Sequence, residues 1–385
     1  MIAICNVCES ALSVSLYESL GTASITTMNQ MIEGTTEVRF CSHCGHVQTS
    51  ELPSLVEYYA NEYEINATSD EEDQLYKVVD GRKVYRAEHQ ASVLMSKISF
   101  RDGLRVLDYG CAKSATLKKV LTRHSGIKPF LFDVTDRYVP FWERFPQDVQ
   151  WSTHTPNPDW FGTMDVVLSF YALEHVSDLT QALLNVKRLL KTGGIFYFLV
   201  PNMYHNVADF VVADHVNHFS ASSLAYLLQR HGFGEIEVDE QIHDAAFVVK
   251  ARFIGEGAGM DTPDGDALAR LREEALHIAQ YWNTFAARVK EYEGMVGDGA
   301  MAIYGAGFYG NFISTLLMFP ERISCFVDQN EYLRGKRIMS KPIVAPQDIP
   351  DEVSHVLVGL NPVIAKSVIG QIEQWQGKSL EFFYL

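Results

Sequence analysis

The strongest constraint on the fold is an alternation of apolar strands and amphipathic helices through the middle of the chain. Residues 105–110 (RVLDYG) form an apolar segment that ends in an acid and a glycine, and residues 115–124 follow with helical spacing. Residues 128–133 repeat the strand that ends in an acid, and residues 164–170 are a third apolar strand. Apolar strands separated by helices predict a parallel, doubly wound sheet in an α/β fold. Ligands bind such sheets outside the carboxyl ends of the strands.

The alternation continues as far as residue 200. Residues 177–190 carry apolar side chains along one helical face, and Gly193-Gly194 is expected to mark the end of that helix. Residues 195–200 are a further apolar strand. The pattern therefore predicts that the doubly wound sheet extends over this part of the chain as well.

The cysteine spacing predicts a metal site. Four of the six cysteines form two pairs with two residues between the partners, Cys5 and Cys8, and Cys41 and Cys44. Two such pairs supply four thiolates, the ligand set that suits tetrahedral, structural zinc. The gap between the pairs exceeds the roughly 15–20 residues of a compact zinc ribbon, so an inserted hairpin or loop is expected. The alternatives are reduced thiols, two disulfides, or His43 or His46 in place of a thiolate.

Composition narrows the possible partners. The chain has 32 Lys and Arg against 48 Asp and Glu, a net charge of −16, which argues against coating a nucleic acid or an anionic membrane. Its 47% hydrophobic and 21% charged residues are typical of a globular protein. We find neither a run of about 18 apolar residues nor the pattern of a secretory signal. We therefore expect a cytoplasmic protein whose partner is a small molecule, not a nucleic acid or a membrane.

The central motifs carry a resemblance to a known family. VLDYGCAKSA, FLFDV, DVVLSFYALEHVSD and LLKTGGIFYFLVPN, in this order and spacing, resemble the class I S-adenosylmethionine-dependent methyltransferases. The resemblance implies that Gly110 makes room for the methionine part of S-adenosylmethionine, that Asp133 accepts the ribose hydroxyls, and that Asp108 lies near the amino-acid end. Where the family has G-x-G-x-G, this chain has the small residues Ala112 and Ser114 after Gly110.

The segment that follows the third strand belongs to the same resemblance. In that family the Leu173-Glu174-His175-Val176 segment opens a helix beside the cofactor, and a direct proton-transfer role is the alternative. The predicted cofactor-binding residues are Asp108, Gly110, Ala112, Asp133, Phe170 and Glu174. A catalytically inactive fold kept as a scaffold beside a zinc-binding module is a further alternative.

A second histidine segment lies where an acceptor would enter. Residues 214–220 (DHVNHFS) follow the strand that ends near residue 201. Methyl transfer to a hydroxyl or an acidic C–H requires a base, and the pKa of histidine suits that task. We predict His215 as the base, with Asp214 and His218 as further catalytic residues. The alternative is a hydrogen-bonded helix start, with Ser220 as the N-cap.

The whole chain is similar to the sugar C-methyltransferases that act on nucleotide-linked deoxysugars, through VRFCSHCGHVQ, DHVNHFS and IYGAGFYGNF…CFVDQN. The resemblance implies a zinc-binding domain at residues 1–95, a methyltransferase core at 96–254 and a Rossmann-like domain at 255–385. It also implies that His215 generates an enolate-like carbon nucleophile beside a 4-keto group.

Two further features bear on the acceptor. The family places another active-site tyrosine near Tyr58, Tyr59 and Tyr63. It has Glu and Tyr where this chain has Asp214 and His218, and this difference leaves O-methylation of a sugar or small acid as an alternative.

The last part of the chain contains a glycine-rich turn. Residues 255–267 have the composition of a flexible hinge, and residues 268–289 are a predicted amphipathic helix. A strand at residues 301–304 then precedes a G-x-G-x-x-G turn, and Asp328 closes the next strand. This pattern by itself favours NAD and an NAD-dependent oxidoreductase. The resembling family uses a similar turn without nicotinamide chemistry, to shape the sugar-nucleotide cleft.

Overall fold

The computed structural model describes residues 3–12, 15–19, 23–61, 63, 69–255 and 263–384. Most of the predicted hinge, residues 256–262, lies outside the described residues. In the part of the chain that is described, no helix combines the length and apolarity that crossing a membrane requires.

The first part of the chain consists of short strands and two helices: β1 (Ser15–Glu18), β2 (Ala23–Ile25), β3 (Met31–Glu33), β4 (Glu37–Phe40), β5 (Val47–Thr49), α1 (Leu55–Asn61), β6 (Leu75–Val79), β7 (Arg82–Tyr85) and α2 (Arg86–Lys97). Strands β2 and β3 form an antiparallel hairpin between the two cysteine pairs. The expected hairpin insertion is therefore present.

The middle of the chain contains the predicted sheet and comprises these elements: β8 (Arg105–Tyr109), α3 (Ala115–Leu121), β9 (Lys128–Asp133), α4 (Val139–Trp142), β10 (Gln150–Thr153), β11 (Met164–Phe170), α5 (Leu179–Leu189), β12 (Leu190–Pro201), β13 (Asn217–His218), α6 (Ala221–Arg230), β14 (Phe233–Asp239) and β15 (Ala246–Phe253). All of these strands except β13 belong to the sheet. The strand order is β10-β9-β8-β11-β12-β15-β14. Neighbours from β10 to β12 are parallel, and β15 is antiparallel to β12 and β14. This arrangement confirms the doubly wound class I methyltransferase sheet.

The glycine pair after α5 does not end the helix. Helix α5 already ends at Leu189, and β12 begins at the next residue. Met164 pairs with Leu190, whereas Val166 pairs with Ile195. Residues 191–194, including both glycines, therefore bulge out of the ladder at the start of β12. The prediction was wrong here because one Gly-rich segment suits either a helix end or a strand bulge.

The last part of the chain forms a second α/β sheet with these elements: α7 (Gly265–Val296), β16 (Ala300–Tyr304), α8 (Phe308–Leu316), β17 (Ile323–Val327), β18 (Arg337–Ile338), β19 (Lys341–Val344), β20 (Val353–Val358), α9 (Pro362–Gly370) and β21 (Glu381–Tyr384). The order is β18-β19-β17-β16-β20-β21, with the strands from β19 to β21 parallel. If the five parallel strands are numbered by their order along the chain, they lie side by side in the order third, second, first, fourth, fifth. This is the Rossmann-like order that the glycine turn predicts.

The central part of the chain contributes one strand to the sheet of the first part. Strand β13 pairs antiparallel with β5 and completes a sheet of order β1-β4-β5-β13. Cys5, Val7 and Cys44 belong to the same apolar cluster as Leu173 and Phe219. The cysteine pairs therefore pack directly against the segments that follow β11 and β13. The domain boundaries at residues 95 and 254 stay predictions.

Candidate functional site

The loop after β8, residues 110–114 and hereafter the donor loop, makes a tight turn where S-adenosylmethionine, the methyl donor, is predicted to bind. Gly110 has a φ of +68°, and a Cβ atom there would lie 3.0 Å from the Cβ of Ala172. Ala112 and Ser114 also have positive φ angles, +44° and +55°. Residues with side chains rarely adopt this conformation. Ala112 and Ser114 adopt it here, so the loop keeps its tight turn without two of the family's glycines.

The acid at the end of β9 closes this loop. Asp133 Oδ2 accepts a hydrogen bond of 2.8 Å from the Ala112 N–H, and Oδ1 accepts one of 3.2 Å from the Thr135 N–H. Burial raises the pKa of Asp133. Because a carboxylate has about four acceptor positions, Asp133 can hold the loop and still accept a bond from a ligand.

The acid within β8 offers a free acceptor. Asp108 is buried, and its Oδ2 accepts a hydrogen bond of 2.6 Å from the Ser114 hydroxyl. Its Oδ1 has no hydrogen-bond partner in the described part of the chain. Burial raises the pKa of Asp108 to about 7. An unpartnered buried carboxylate oxygen is costly, and a ligand ammonium group would satisfy it.

His215 is held by an acid that the sequence analysis did not identify. Its Nδ1 lies 2.5 Å from Asp209 Oδ1, and its Nε2 lies 3.2 Å from the Thr27 hydroxyl. Burial alone would lower the pKa of His215, but the charge of Asp209 outweighs it and raises the pKa to about 9. Asp209 thus fixes Nδ1 of the imidazole, and Nε2 faces Thr27 in the first part of the chain.

His218 shares the same carboxylate. Its Nδ1 donates to Asp209 Oδ2 over 2.8 Å, and its Nε2 lies 2.7 Å from the Thr49 hydroxyl. The two histidines hold the pKa of Asp209 well below its usual range, although burial opposes the shift. Both ring nitrogens of the buried His218 therefore have protein partners. Ser220 caps α6 in a capping box with Ser223, as predicted for this segment.

Asp214 does not orient His215. Its carboxylate accepts two hydrogen bonds of 2.7 Å from Thr27, one from the N–H and one from the hydroxyl. Asp214 instead fixes the β2–β3 turn over the site, and Asp209 is the acid that contacts the His215 ring. Residues 206–212 carry no motif that would single out Asp209 in the sequence.

The residues Leu173-Glu174-His175-Val176, hereafter the Glu174–His175 turn, lie between the donor loop and His215. Glu174 is buried, with no partner for its Oε2 among the described residues, and burial raises its pKa to about 8. His215, Asp209 and Arg86 are the charges that act on it, so it lies on the histidine side of the site. Phe170 ends β11 just before this turn.

The predicted tyrosine cluster surrounds His175. The Tyr63 hydroxyl lies 3.2 Å from His175 Nε2, and the Tyr59 hydroxyl lies 3.1 Å from Nδ1. The Asp214 carbonyl lies 2.9 Å from the same Nδ1. Burial, together with the charge of His215, lowers the pKa of His175 to about 4. The His175 and His215 rings are 4.7 Å apart, so His175 belongs to the candidate active site.

The four paired cysteines converge on one point. Their sulfur atoms all lie within 4.8 Å of one another, with Cys5 to Cys44 at 3.7 Å and Cys8 to Cys41 at 3.4 Å. Such a set fits tetrahedral zinc, whose Zn–S bonds are about 2.3 Å. His43 and His46 contact Tyr226 and Asn217 instead. The geometry therefore favours four thiolates over a histidine replacement.

A second group of possible metal ligands lies in the candidate active site. Glu174, His175 and His215 also present ligand atoms within 4.8 Å of one another. Each histidine nitrogen in this group, however, already lies within hydrogen-bond distance of Asp209, Thr27 or the groups around His175. The histidine nitrogens of this group therefore have protein partners already, whereas Glu174 Oε2 has none among the described residues.

The glycine turn of the last domain repeats the arrangement of the donor loop. Gly305 has a φ of +93°, and Asp328 Oδ2 accepts a hydrogen bond of 2.8 Å from the Ala306 N–H. Tyr309, at the start of α8, bonds Asn206 and the Ala208 N–H, each at 3.0 Å. This turn therefore packs beside the segment that carries Asp209.

Comparison with known proteins agrees with the fold. Residues 84–238 match the family profile of a methyltransferase domain. No curated protein sequence matches the chain significantly. The central segment is therefore a methyltransferase domain, and the enzyme class predicted from the sequence, an S-adenosylmethionine-dependent methyltransferase, is confirmed.

Several solved structures are similar to the chain. A chain of the complex between the Haloferax volcanii Trm112 methyltransferase activator and the putative methyltransferase is 16% identical, with a TM-score of 0.37, over 43% of this chain and 90% of that one. An S-adenosylmethionine-dependent methyltransferase from Mesorhizobium loti is 17% identical (TM-score 0.35; 43% and 97%). The Burkholderia thailandensis 1,6-didemethyltoxoflavin-N1-methyltransferase is 18% identical (TM-score 0.35; 44% and 78%).

Proposed function

We propose that this enzyme transfers the methyl group of S-adenosylmethionine to a carbon atom of a nucleotide-linked keto sugar, with His215 as the general base. The observation that carries the proposal is the buried Asp209–His215 pair, in which Asp209 fixes Nδ1 and Nε2 contacts only the Thr27 hydroxyl, at 3.2 Å, in the described part of the chain. An acceptor C–H that replaces this one contact would meet a base fixed at its other nitrogen, which is the arrangement that proton abstraction requires.

The proposed reaction has two steps. His215 Nε2 takes the proton from the carbon next to the sugar carbonyl, and the C–H electron pair moves into an enolate. The enolate carbon then attacks the methyl group, and the C–S electron pair leaves with the sulfur as a neutral thioether.

His215 must be neutral when it acts. Its pKa of about 9 makes the free enzyme mostly imidazolium at neutral pH. A nearby positive charge disfavours the protonated form of a histidine. Binding of the cationic donor would therefore lower the pKa of His215 and prepare it to accept the substrate proton.

Arg86 supports an anionic acceptor. Its guanidinium group lies 4.8 Å from the centre of the Tyr171 ring, and it acts electrostatically on Glu174. Its side chain has no carboxylate or carbonyl partner in the described part of the chain. In a protein with 48 acidic residues, an arginine beside the site with no ion-pair partner among the described residues suits a phosphate of the acceptor.

Proton exchange tests the carbon chemistry. We expect wild-type enzyme, with S-adenosylhomocysteine and a keto-sugar nucleotide in D₂O, to exchange the proton next to the carbonyl without methyl transfer. His215→Ala should abolish the exchange and keep S-adenosylhomocysteine binding. Methyl transfer by wild type without any exchange would instead support O-methylation of a sugar or small acid.

The oxidoreductase alternative has a separate test. A ligand that binds the folded state raises the melting temperature, so we expect stabilisation by S-adenosylhomocysteine and none by NADH. Stabilisation by NADH alone would favour an NAD-dependent oxidoreductase built on the last domain. Stabilisation by neither would favour the inactive scaffold.

A further inference from the structure

We infer that Asn217 is a positioning residue that couples the four-cysteine site to the Glu174–His175 turn. The inference rests on the proposed function, because it treats that turn as part of the active site. It assigns the cysteine site a role in the geometry of the reaction in addition to its role in stability.

The Asn217 side chain holds the turn from both ends. Asn217 is buried, and its Nδ2 donates to the carbonyl of Leu173 at 2.9 Å and to that of Val176 at 2.7 Å. These carbonyls belong to the residues that immediately precede Glu174 and follow His175. One amide group therefore determines the shape of the backbone that carries both side chains.

The same side chain is held by both cysteine pairs. Its Oδ1 accepts a hydrogen bond of 2.9 Å from Asn6 Nδ2 and one of 3.2 Å from His46 Nε2. Asn6 lies between Cys5 and Cys8, and His46 is the second residue after Cys44. The positions of these two donors therefore depend on how the cysteines are held together.

All hydrogen-bonding positions of the Asn217 amide are used. The group has two donors and one acceptor oxygen with two lone pairs, and the four contacts satisfy all of them. A fully satisfied buried network is rigid, whereas an unpaired member is costly. If the cysteine pairs separated, Asn6 and His46 would move away, and the amide would lose the partners that fix its orientation toward the turn.

The consequence for the reaction follows from distance. The His175 ring is 4.7 Å from the His215 ring, so a shift of the turn changes the surroundings of the proposed base. A misplacement of about 1 Å can cost on the order of a hundredfold in rate. The main chain of Asn217 is held separately, by pairing with Gln48 in β5, so the side chain can be changed without removing the strand.

Three variants test the coupling. Asn217→Ser removes the bonds to the turn, and Asn6→Ala removes one bond from the cysteine side. Arg230→Ala is the matched control. Arg230 donates a hydrogen bond to the carbonyl of Val7, which like Asn6 lies between Cys5 and Cys8, and it makes no hydrogen bond to Asn217. Zinc content, S-adenosylhomocysteine affinity, kcat and hydrogen–deuterium exchange of residues 173–176 are measured for each.

We expect Asn217→Ser and Asn6→Ala to keep full zinc and to bind S-adenosylhomocysteine within about twofold of wild type, but to lose kcat by about tenfold to a hundredfold. Exchange at residues 173–176 should rise in both variants, and in wild type after zinc chelation, while exchange in β8 and β9 stays unchanged. Arg230→Ala should match wild type in kcat and in exchange at the turn.

The coupling is overturned if zinc-replete Asn6→Ala, or folded Asn217→Ser, exchanges residues 173–176 as slowly as wild type. It is also overturned if chelation leaves exchange at these residues unchanged. These readouts need no acceptor, so a wild-type enzyme that fails to exchange the keto-sugar proton would refute only the proposed function.

Discussion

The pH dependence of the reaction is the most direct test of the Asp209–His215 pair. With a pKa of about 9, His215 is neutral in only about one free enzyme molecule in a hundred at pH 7. The neutral fraction rises about tenfold per pH unit until the pKa is reached. We therefore expect kcat/KM for the donor, which reports the donor-free enzyme, to rise about fiftyfold between pH 7 and 9 and to level off above pH 9.

Asp209→Asn is the decisive perturbation. Without the carboxylate, burial is opposed only by the smaller effects of Asp214 and Glu174, so the pKa of His215 should fall to its ordinary value of 6.5 or below. The variant should then show a flat kcat/KM profile from pH 7 to 9. Asp165→Asn, which removes a carboxylate that bonds the Arg105 N–H and Lys191, is the control and should keep the wild-type slope. A wild-type profile that is flat over this range, or a slope that survives in Asp209→Asn, would refute the reasoning.

Stability provides a second readout of the same pair. The pKa of His215 is higher in the folded protein, at about 9, than its ordinary value of 6.5. Its contribution to stability is therefore complete below about pH 6.5 and lost as the pH rises through 9. The melting temperature of wild type should fall between pH 6.5 and 9.5, and the melting temperature of Asp209→Asn should fall less. Equal pH dependence in the two proteins would contradict the electrostatic explanation.

Three other substitutions test the remaining parts of the molecule. Cys41→Ser should reduce the zinc content, expected to be one per chain, and lower the melting temperature, because ligand loss weakens metal-coupled folding; metal analysis that finds the wild-type content would argue against the site. Gly110→Ala should weaken S-adenosylhomocysteine binding by about tenfold or more in calorimetry, because the loop would change shape to relieve about 1–2 kcal/mol of positive-φ strain and the 3.0 Å contact of the new Cβ with Ala172; wild-type affinity would speak against close approach at this loop. Arg86→Gln should raise the acceptor KM about tenfold, the loss of one charge-assisted contact, and leave donor affinity unchanged, whereas an unchanged acceptor KM would remove Arg86 from the site.

The cysteine spacing shows how far local pattern determines a site. Pairs separated by two residues bring two sulfurs to one side of a tight turn, so Cys5, Cys8, Cys41 and Cys44 could be assigned together without knowledge of the fold. The donor loop could be predicted in the same way, because an apolar strand that ends in an acid and a glycine indicates a tight turn at that point. Both features depend on residues close together in the chain.

The surroundings of His215 depend on distant residues. The adjacent acid, Asp214, bonds Thr27 instead, and the orienting acid is Asp209, six residues earlier. Tyr59, Tyr63 and Asn6 reach the site from the first part of the chain because β13 joins the sheet of β5.

The sequence by itself therefore determined the parallel sheets, the grouping of the four cysteines and the tight turn after β8, since periodicity and short spacings express the conformations of neighbouring residues. Only the tertiary structure decided which carboxylate faces the His215 ring and which amide links the cysteine pairs to the Glu174–His175 turn. The physical reason is that a hydrogen bond needs its two atoms within about 3 Å, and for residues far apart in the chain that distance is set by the packing of whole strands.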